Sequence, residues 1–302
     1  MLFLRHGRRF LWLVLSLCGG VGCSTRPPVD RPGVLAPSVP APMAPAPIAR
    51  FEPAGPRTPT PMATAKPAPT PDKVLTLGRS VDGRPVTLHL FGDTAVGPAN
   101  TVLIFGGIHG NEPTGAGVCR ELVEYLRAHP SAWAGRCVAV LPEANPDGLS
   151  RKMRVNTRLV DLNRNFPAAN WAKTRRSSMF GGDAPATQPE TLLLVAAVDD
   201  LKPARVVAVH SMDAPCNNYD GPGEGLARLM AARNGYPVKA SIGYPTPGSF
   251  GSWAGGDRKI PVITLELPNR GTTATSWAAN RDALLAFVRA DAGEIARASA
   301  QR

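Results

Sequence analysis

The chain is 302 residues long, 43% hydrophobic and 6% aromatic, enough for one large domain with a substantial core plus further segments. Its formal charge of +11 fits two readings: anionic envelope polymers or lipid head groups as partners, or a basic surface with no dedicated partner. No basic run is interleaved with aromatics, which argues against nucleic acid.

Residues 1–23 read as a bacterial export signal. Arg5, Arg8 and Arg9 form a positive head, and residues 10–17 are an apolar stretch too short to span a bilayer comfortably. Gly19, Gly20 and Gly22 then precede Cys23, as at a lipoprotein processing site where the cysteine becomes the lipidated first residue. Gly20 stands where an aliphatic residue is usual, so ordinary secretory cleavage with Cys23 incidental stays open. The expectation is an exported chain in the periplasm, membrane-anchored through Cys23. Residues 24–72 are rich in Pro and Ala and lack any periodicity that would bury a face. They read as a linker of about 3.1 Å per residue where polyproline-like, either a tether or a simple tail.

The remaining segment, 73–302, alternates strand and helix patterns. Residues 74–77 and 86–90 are strand-like, with Asp82-Gly83 as a hairpin turn between them. Residues 101–105 form an apolar strand, and 115–128 a helix with Val118, Leu122 and Leu126 on one face. Strands follow at 137–141, 205–209 and 262–267, helices at 189–201 and 223–232, an extended piece at 238–242, and a long terminal helix over 276–298. This alternation predicts a three-layer α/β/α domain with a mixed, largely parallel central sheet. Export permits a disulfide, and Cys119 with Cys137 is one pairing; buried free thiols are the other reading.

Chemistry-bearing side chains gather at strand ends, where loops of α/β sheets carry function. His109 and Glu112 follow the strand at 101–105 across Gly106, Gly107 and Gly110, which let the backbone turn sharply. A lone His-x-x-Glu is weak. His210, at the end of the apolar run 205–209, supplies a third donor of the kind that binds catalytic zinc and leaves the fourth position open to water. Glu266 sits inside the apolar strand 262–267, where an unpaired carboxylate costs several kcal/mol. It either points outward on an edge strand, pairs with an Arg, or faces the metal-activated water as general base. Asn145-Pro-Asp-Gly148 and the segment 151–167 are rich in guanidinium and amide groups suited to gripping carboxylates. Arg154 is placed to polarise a scissile carbonyl, while Arg151 and Lys152 also fit a solvated loop.

His109-x-x-Glu112, Asp161-Leu-Asn-Arg-Asn-Phe-Pro167, His210-Ser211 and Thr264-Leu-Glu-Leu267, in this order, resemble the zinc carboxypeptidase family. The segment 77–86 resembles that family's opening hairpin. Within the family, Gln188-Pro-Glu-Thr191 and the stretch 244–251 resemble murein peptide amidases. The resemblance implies one Zn²⁺ held by His109, Glu112 and His210, Glu266 as base and Arg154 as electrophile. It further implies Asn163 and Arg164 as a clamp for the substrate's free carboxylate, and Tyr244 as a residue closing over it. The implied substrate is a peptidoglycan peptide, cut between γ-D-glutamate and diaminopimelate. Two alternatives remain at this stage: an N-acyl-amino-acid deacylase similar to aspartoacylases, and a catalytically silent, lipid-tethered wall-binding module.

Overall fold

The hairpin predicted around Asp82-Gly83 comes first among the described residues: β1 (Lys73–Arg79) pairs antiparallel with β2 (Pro85–Phe91), and Gly83 takes a positive φ of 82° at the turn. The structure is a computed structural model, and it describes residues 73–300. The segments read as an export signal with its lipidation site at Cys23 and as a linker lie outside the described residues.

Strand β2 leads by antiparallel pairing into β4 (Cys137–Leu141), and β3 (Thr101–Gly106), β5 (Arg205–Met212) and β8 (Val262–Pro268) follow in parallel. Beyond β8 come β6 (Cys216–Asp220), antiparallel to it, and the short β7 (Val238–Lys239). The eight strands run in the order β1-β2-β4-β3-β5-β8-β6-β7. The inner strands read as continuous apolar runs because both their faces are buried. Val102, Ile104, Val138, Val140, Val207 and Val209 pack on one side against α1 (Pro113–Ala128), α4 (Glu224–Asn234) and α5 (Thr273–Arg289). Leu103, Phe105, Ala139, Leu141, Val206 and Ala208 pack on the other, against α3 (Pro189–Leu201), Leu162, Phe166 and Phe250. Val118, Leu122 and Leu126 of α1 face the core as the sequence predicts, and Pro113 occupies the first turn, where its missing N–H costs nothing.

Two expectations are corrected, and one open alternative is decided. The long terminal helix is two, α5 and α6 (Ala292–Ala300). Ala290 turns extended (φ −46°, ψ 131°), and Asp291 accepts from Glu294 N–H at 2.7 Å while Glu294 Oε2 accepts from Asp291 N–H at 3.1 Å. This reciprocal cap starts a new helix rather than continuing the old one. Cys119 and Cys137 are free, buried thiols on opposite faces of the sheet, so the pairing is excluded. The extended piece at 238–242 shrinks to the two residues of β7. Strand β6 and the wide π-helical turn Gly251–Asp257 were not foreseen. Asn217 and Asn218 hide β6 in the sequence, since asparagine is a poor strand former. Both are buried and donate side-chain bonds to Tyr236 O and Lys239 O, which satisfies them inside the sheet.

Candidate metal centre and active site

Strand β3 stops at Gly106. Gly107 then adopts φ +65°, and the chain passes so close to α2 (Pro146–Arg151) that a Cβ on Gly110 would lie 1.9 Å from the Gly148 carbonyl carbon. Only glycine permits either. The loop delivers His109 and then Glu112, which immediately precedes the first residue of α1. From the neighbouring strand, His210 arrives at the end of the fully buried part of β5. It stands beside Glu266 of β8 in the parallel register.

His109 Nδ1 lies 2.9 Å from Glu112 Oε1, and His210 Nδ1 lies 3.1 Å from both Glu112 Oε2 and His109 Nδ1. The ligand atoms of the three residues all fall within 4.8 Å of one another. Two imidazole nitrogens this close to each other and to a carboxylate need a proton or a metal ion between them. Two imidazoles and a carboxylate are moreover the donor set that zinc accepts in open catalytic sites. The residues therefore fit the ion. Behind them, Asp161 Oδ1 meets His109 Nε2 at 3.1 Å and fixes which ring nitrogen is offered to the centre. Glu112 Oε2 also accepts from Ser211 N–H at 3.0 Å, which orients the ligand carboxylate. In the sequence Asp161 is simply the first residue of the motif at 161–167. Nothing local marks it, because its function depends on a histidine 52 residues away.

Electrostatics report the same demand for a cation. Burial by itself would depress the His109 imidazole, but the carboxylates of Glu112 and Asp161 outweigh it and raise the group to about 9. Burial would raise Glu112 and Asp161, yet His109 holds both well below the usual carboxylate range. A proton on His109 thus occupies the electrostatic role that fits a metal ion. Glu266 differs. Burial pushes its carboxyl up, with His210 opposing, and it has no hydrogen-bond partner among the described residues.

His109, Glu112, His210, Glu266, Arg154, Asn163, Arg164 and Tyr244 all line one cavity of about 220 Å³. Arg154 donates from Nε to Asp161 Oδ2 at 3.0 Å, and its Nη1 lies 3.5 Å from Glu112 Oε1, so the guanidinium is braced by the same carboxylates that serve the metal donors. Asn163 accepts from Phe250 N–H at 2.9 Å, and its amide nitrogen has no partner among the described residues. Arg164 is buried and braced on Asn163 O at 2.6 Å; desolvation lowers its pKa, with Asp161 opposing. Tyr244 is 45% exposed at the cavity mouth.

Asn145 and Asp147 are scaffold rather than substrate-facing groups. Asn145 caps α2 through Gly148 N–H at 2.8 Å and holds Ile108 O at 3.2 Å. Asp147 is fully buried and ties α2 to the β1–β2 turn through Ser80, Asp82 N–H and Arg84. Arg151 is an exposed partner of Asp82, as the solvated-loop reading had it. Asn165, also buried, organises the loop at 181–188 through Gly181 O, Ala184 O and Thr187.

Comparison with known proteins agrees with this geometry. Residues 62–221 match the zinc carboxypeptidase family. Murein peptide amidase A of Escherichia coli K12 is 34% identical over 209 residues, spanning 63% of this chain and 79% of that protein. The Vibrio campbellii protein of the same name is 31% identical over 207 residues, 63% and 77% of the two chains. Among solved structures, murein-tripeptide amidase from Escherichia coli O157 superposes with a TM-score of 0.58 at 29% identity, covering 76% of this chain and 97% of that one. Carboxypeptidase A from Helicoverpa armigera, at 19% identity and a TM-score of 0.63, covers 77% and 70% and shares the fold.

Proposed function

The chain belongs to the zinc carboxypeptidase family and is a hydrolytic enzyme, and from that premise we propose that it cleaves peptidoglycan peptides at the amide bond between γ-D-glutamate and diaminopimelate. The observation that carries this reading is one cavity holding three converging zinc donors, an unpaired buried carboxylate and two arginines. The similarity to murein peptide amidases supports the choice of substrate. Being an enzyme removes the silent wall-binding alternative.

A single zinc ion would be held by His109, Glu112 and His210, and when bound it would supply Lewis acidity for the scissile carbonyl and for water. Glu266 takes the proton of the attacking water on a carboxylate oxygen and delivers it to the departing amide nitrogen, so the water oxygen ends on the new carboxyl group and its proton on the amine. Arg154, already aligned by Asp161, donates to the oxygen of the scissile carbonyl as negative charge grows there. Asn163 and Arg164 hold the free carboxylate on the leaving side, and Tyr244 covers it from the mouth. Burial raises the pKa of Glu266, which suits the task because a more basic carboxylate is a better proton acceptor.

Incubation of the zinc-loaded protein with L-Ala-γ-D-Glu-diaminopimelate, followed by mass spectrometry, is expected to show free diaminopimelate. Release stops with a chelator and resumes with zinc. Turnover of N-acetyl-aspartate with inert murein peptides would favour the deacylase alternative instead.

A further inference from the structure

Arg154 lines two cavities. One is the catalytic cavity, and the other is an adjoining groove of about 430 Å³ walled by Met153, Val155, Leu159 and Arg176. Asn163 and Arg164, the clamp for the leaving side, line the first and not the second. The acyl half of a substrate begins at the carbonyl that Arg154 receives. The groove that shares Arg154 is therefore open to the acyl half once the clamp has fixed the other end. Its walls are largely apolar, as in sites that hold small organic groups.

Two features show that the groove is built. Leu159 holds a φ of +60°, a left-handed conformation unfavourable for a bulky side chain, and stays 53% exposed. Buried Asn156 fixes that turn. Its Oδ1 accepts from the N–H groups of Arg158 and Val160, each at 3.1 Å, and its Nδ2 donates to Gln188 at 3.0 Å and Glu190 at 3.2 Å. A strained, exposed leucine anchored from below beside a catalytic arginine is suited to an apolar contact. The second feature is charge. Residues 151–176 carry eight basic side chains and one acidic, the buried Asp161. Among the basic ones Arg176 stands on the groove wall and is loosely engaged. Its guanidinium lies 5.0 Å from the Phe180 ring centre and 3.8 Å from Asp183 Oδ2, while Lys173 takes Asp183 Oδ1 at 2.9 Å. With Asp183 already neutralised by Lys173, Arg176 has donors to offer another carboxylate.

We propose that this groove binds the acyl half of the substrate, with Arg176 as a specificity-determining residue that pairs with a free carboxylate on it. The inference rests on the hydrolytic reading of the site and adds the chemistry of the acyl group. A glutamyl residue cut at its γ-carbonyl keeps its α-carboxylate free, at the far end of its carbon chain. That carboxylate suits Arg176, and the alanine methyl beyond it suits Met153 and Leu159.

The test compares two synthetic tripeptides with the same scissile bond, L-Ala-γ-D-Glu-diaminopimelate and its α-carboxamide, in which D-isoglutamine replaces D-glutamate. Wild type is expected to prefer the carboxylate by about fivefold in kcat/KM, the upper range for an exposed ion pair. The preference should shrink as salt is raised. Arg176→Gln is expected to bring the ratio close to one, chiefly through KM for the carboxylate peptide, and Arg176→Lys to restore part of it. The Arg176 side chain is 72% exposed, so its replacement spares the core, and zinc content with melting temperature confirms that each variant is folded. Leu159→Ser should raise KM for both peptides and leave their ratio intact. Equal rates on the two peptides in wild type, or a preference unchanged in Arg176→Gln, overturn the role of Arg176 alone. An unchanged KM in Leu159→Ser overturns the apolar wall. Inactivity of wild type on every murein peptide overturns the substrate reading, and this inference with it.

Discussion

Replacing Glu266 by Gln is expected to lower kcat by about 10²- to 10⁴-fold on the diaminopimelate tripeptide, the range of a lost general base. The substitution is nearly isosteric and keeps a polar group at a buried position on β8, but an amide cannot accept the proton. Glu266 lies outside the set of converging donors, so the variant is expected to retain zinc. It also removes a carboxylate that has no hydrogen-bond partner among the described residues and whose pKa burial has raised. Its melting temperature should therefore match or exceed that of wild type. Steady-state kinetics with metal analysis on the same preparation checks both halves. A fall of less than about tenfold would remove Glu266 from proton transfer.

His210→Ala should be at least as damaging, by a different route. It deletes one of the three donors and leaves Glu112 Oε2 with only the Ser211 N–H. Two remaining donors make a poor zinc site, because catalytic zinc takes three protein ligands. Dialysed variant protein is expected to carry almost no zinc and to show no turnover at stoichiometric metal. Circular dichroism separates this loss from unfolding. A variant that keeps full zinc and ordinary kinetics would exclude His210 from the ligand set.

Much of this site was legible in the sequence because its parts obey local rules. His109, Glu112, His210 and Glu266 each stand in or just beyond an apolar strand. A strand buried on both faces reads as an uninterrupted run whose first polar residues mark its functional end. What stayed hidden depends on partners distant in the chain. Asp161 acts through His109, Asn145 and Asp147 are consumed by α2 and the first hairpin, and β6 is held by asparagine bonds to the chain at 236–239. The break between α5 and α6 is a different matter. Asp291 and Glu294 form a legible capping pair, and helical periodicity running through both helices masked it.

Everything depends on one divalent ion seated among His109, Glu112 and His210. Calorimetric titration of chelator-stripped protein with zinc, in two buffers of different ionisation enthalpy, measures this directly. The account predicts about one ion per chain. Because the carboxylates raise His109 to about 9, the imidazole is protonated at neutral pH and must shed its proton to serve as a ligand. Uptake at neutral pH therefore releases a proton, apparent affinity climbs as pH rises toward the His109 pKa, and it levels off above it. Absence of zinc uptake, or uptake that His210→Ala leaves intact, would contradict it.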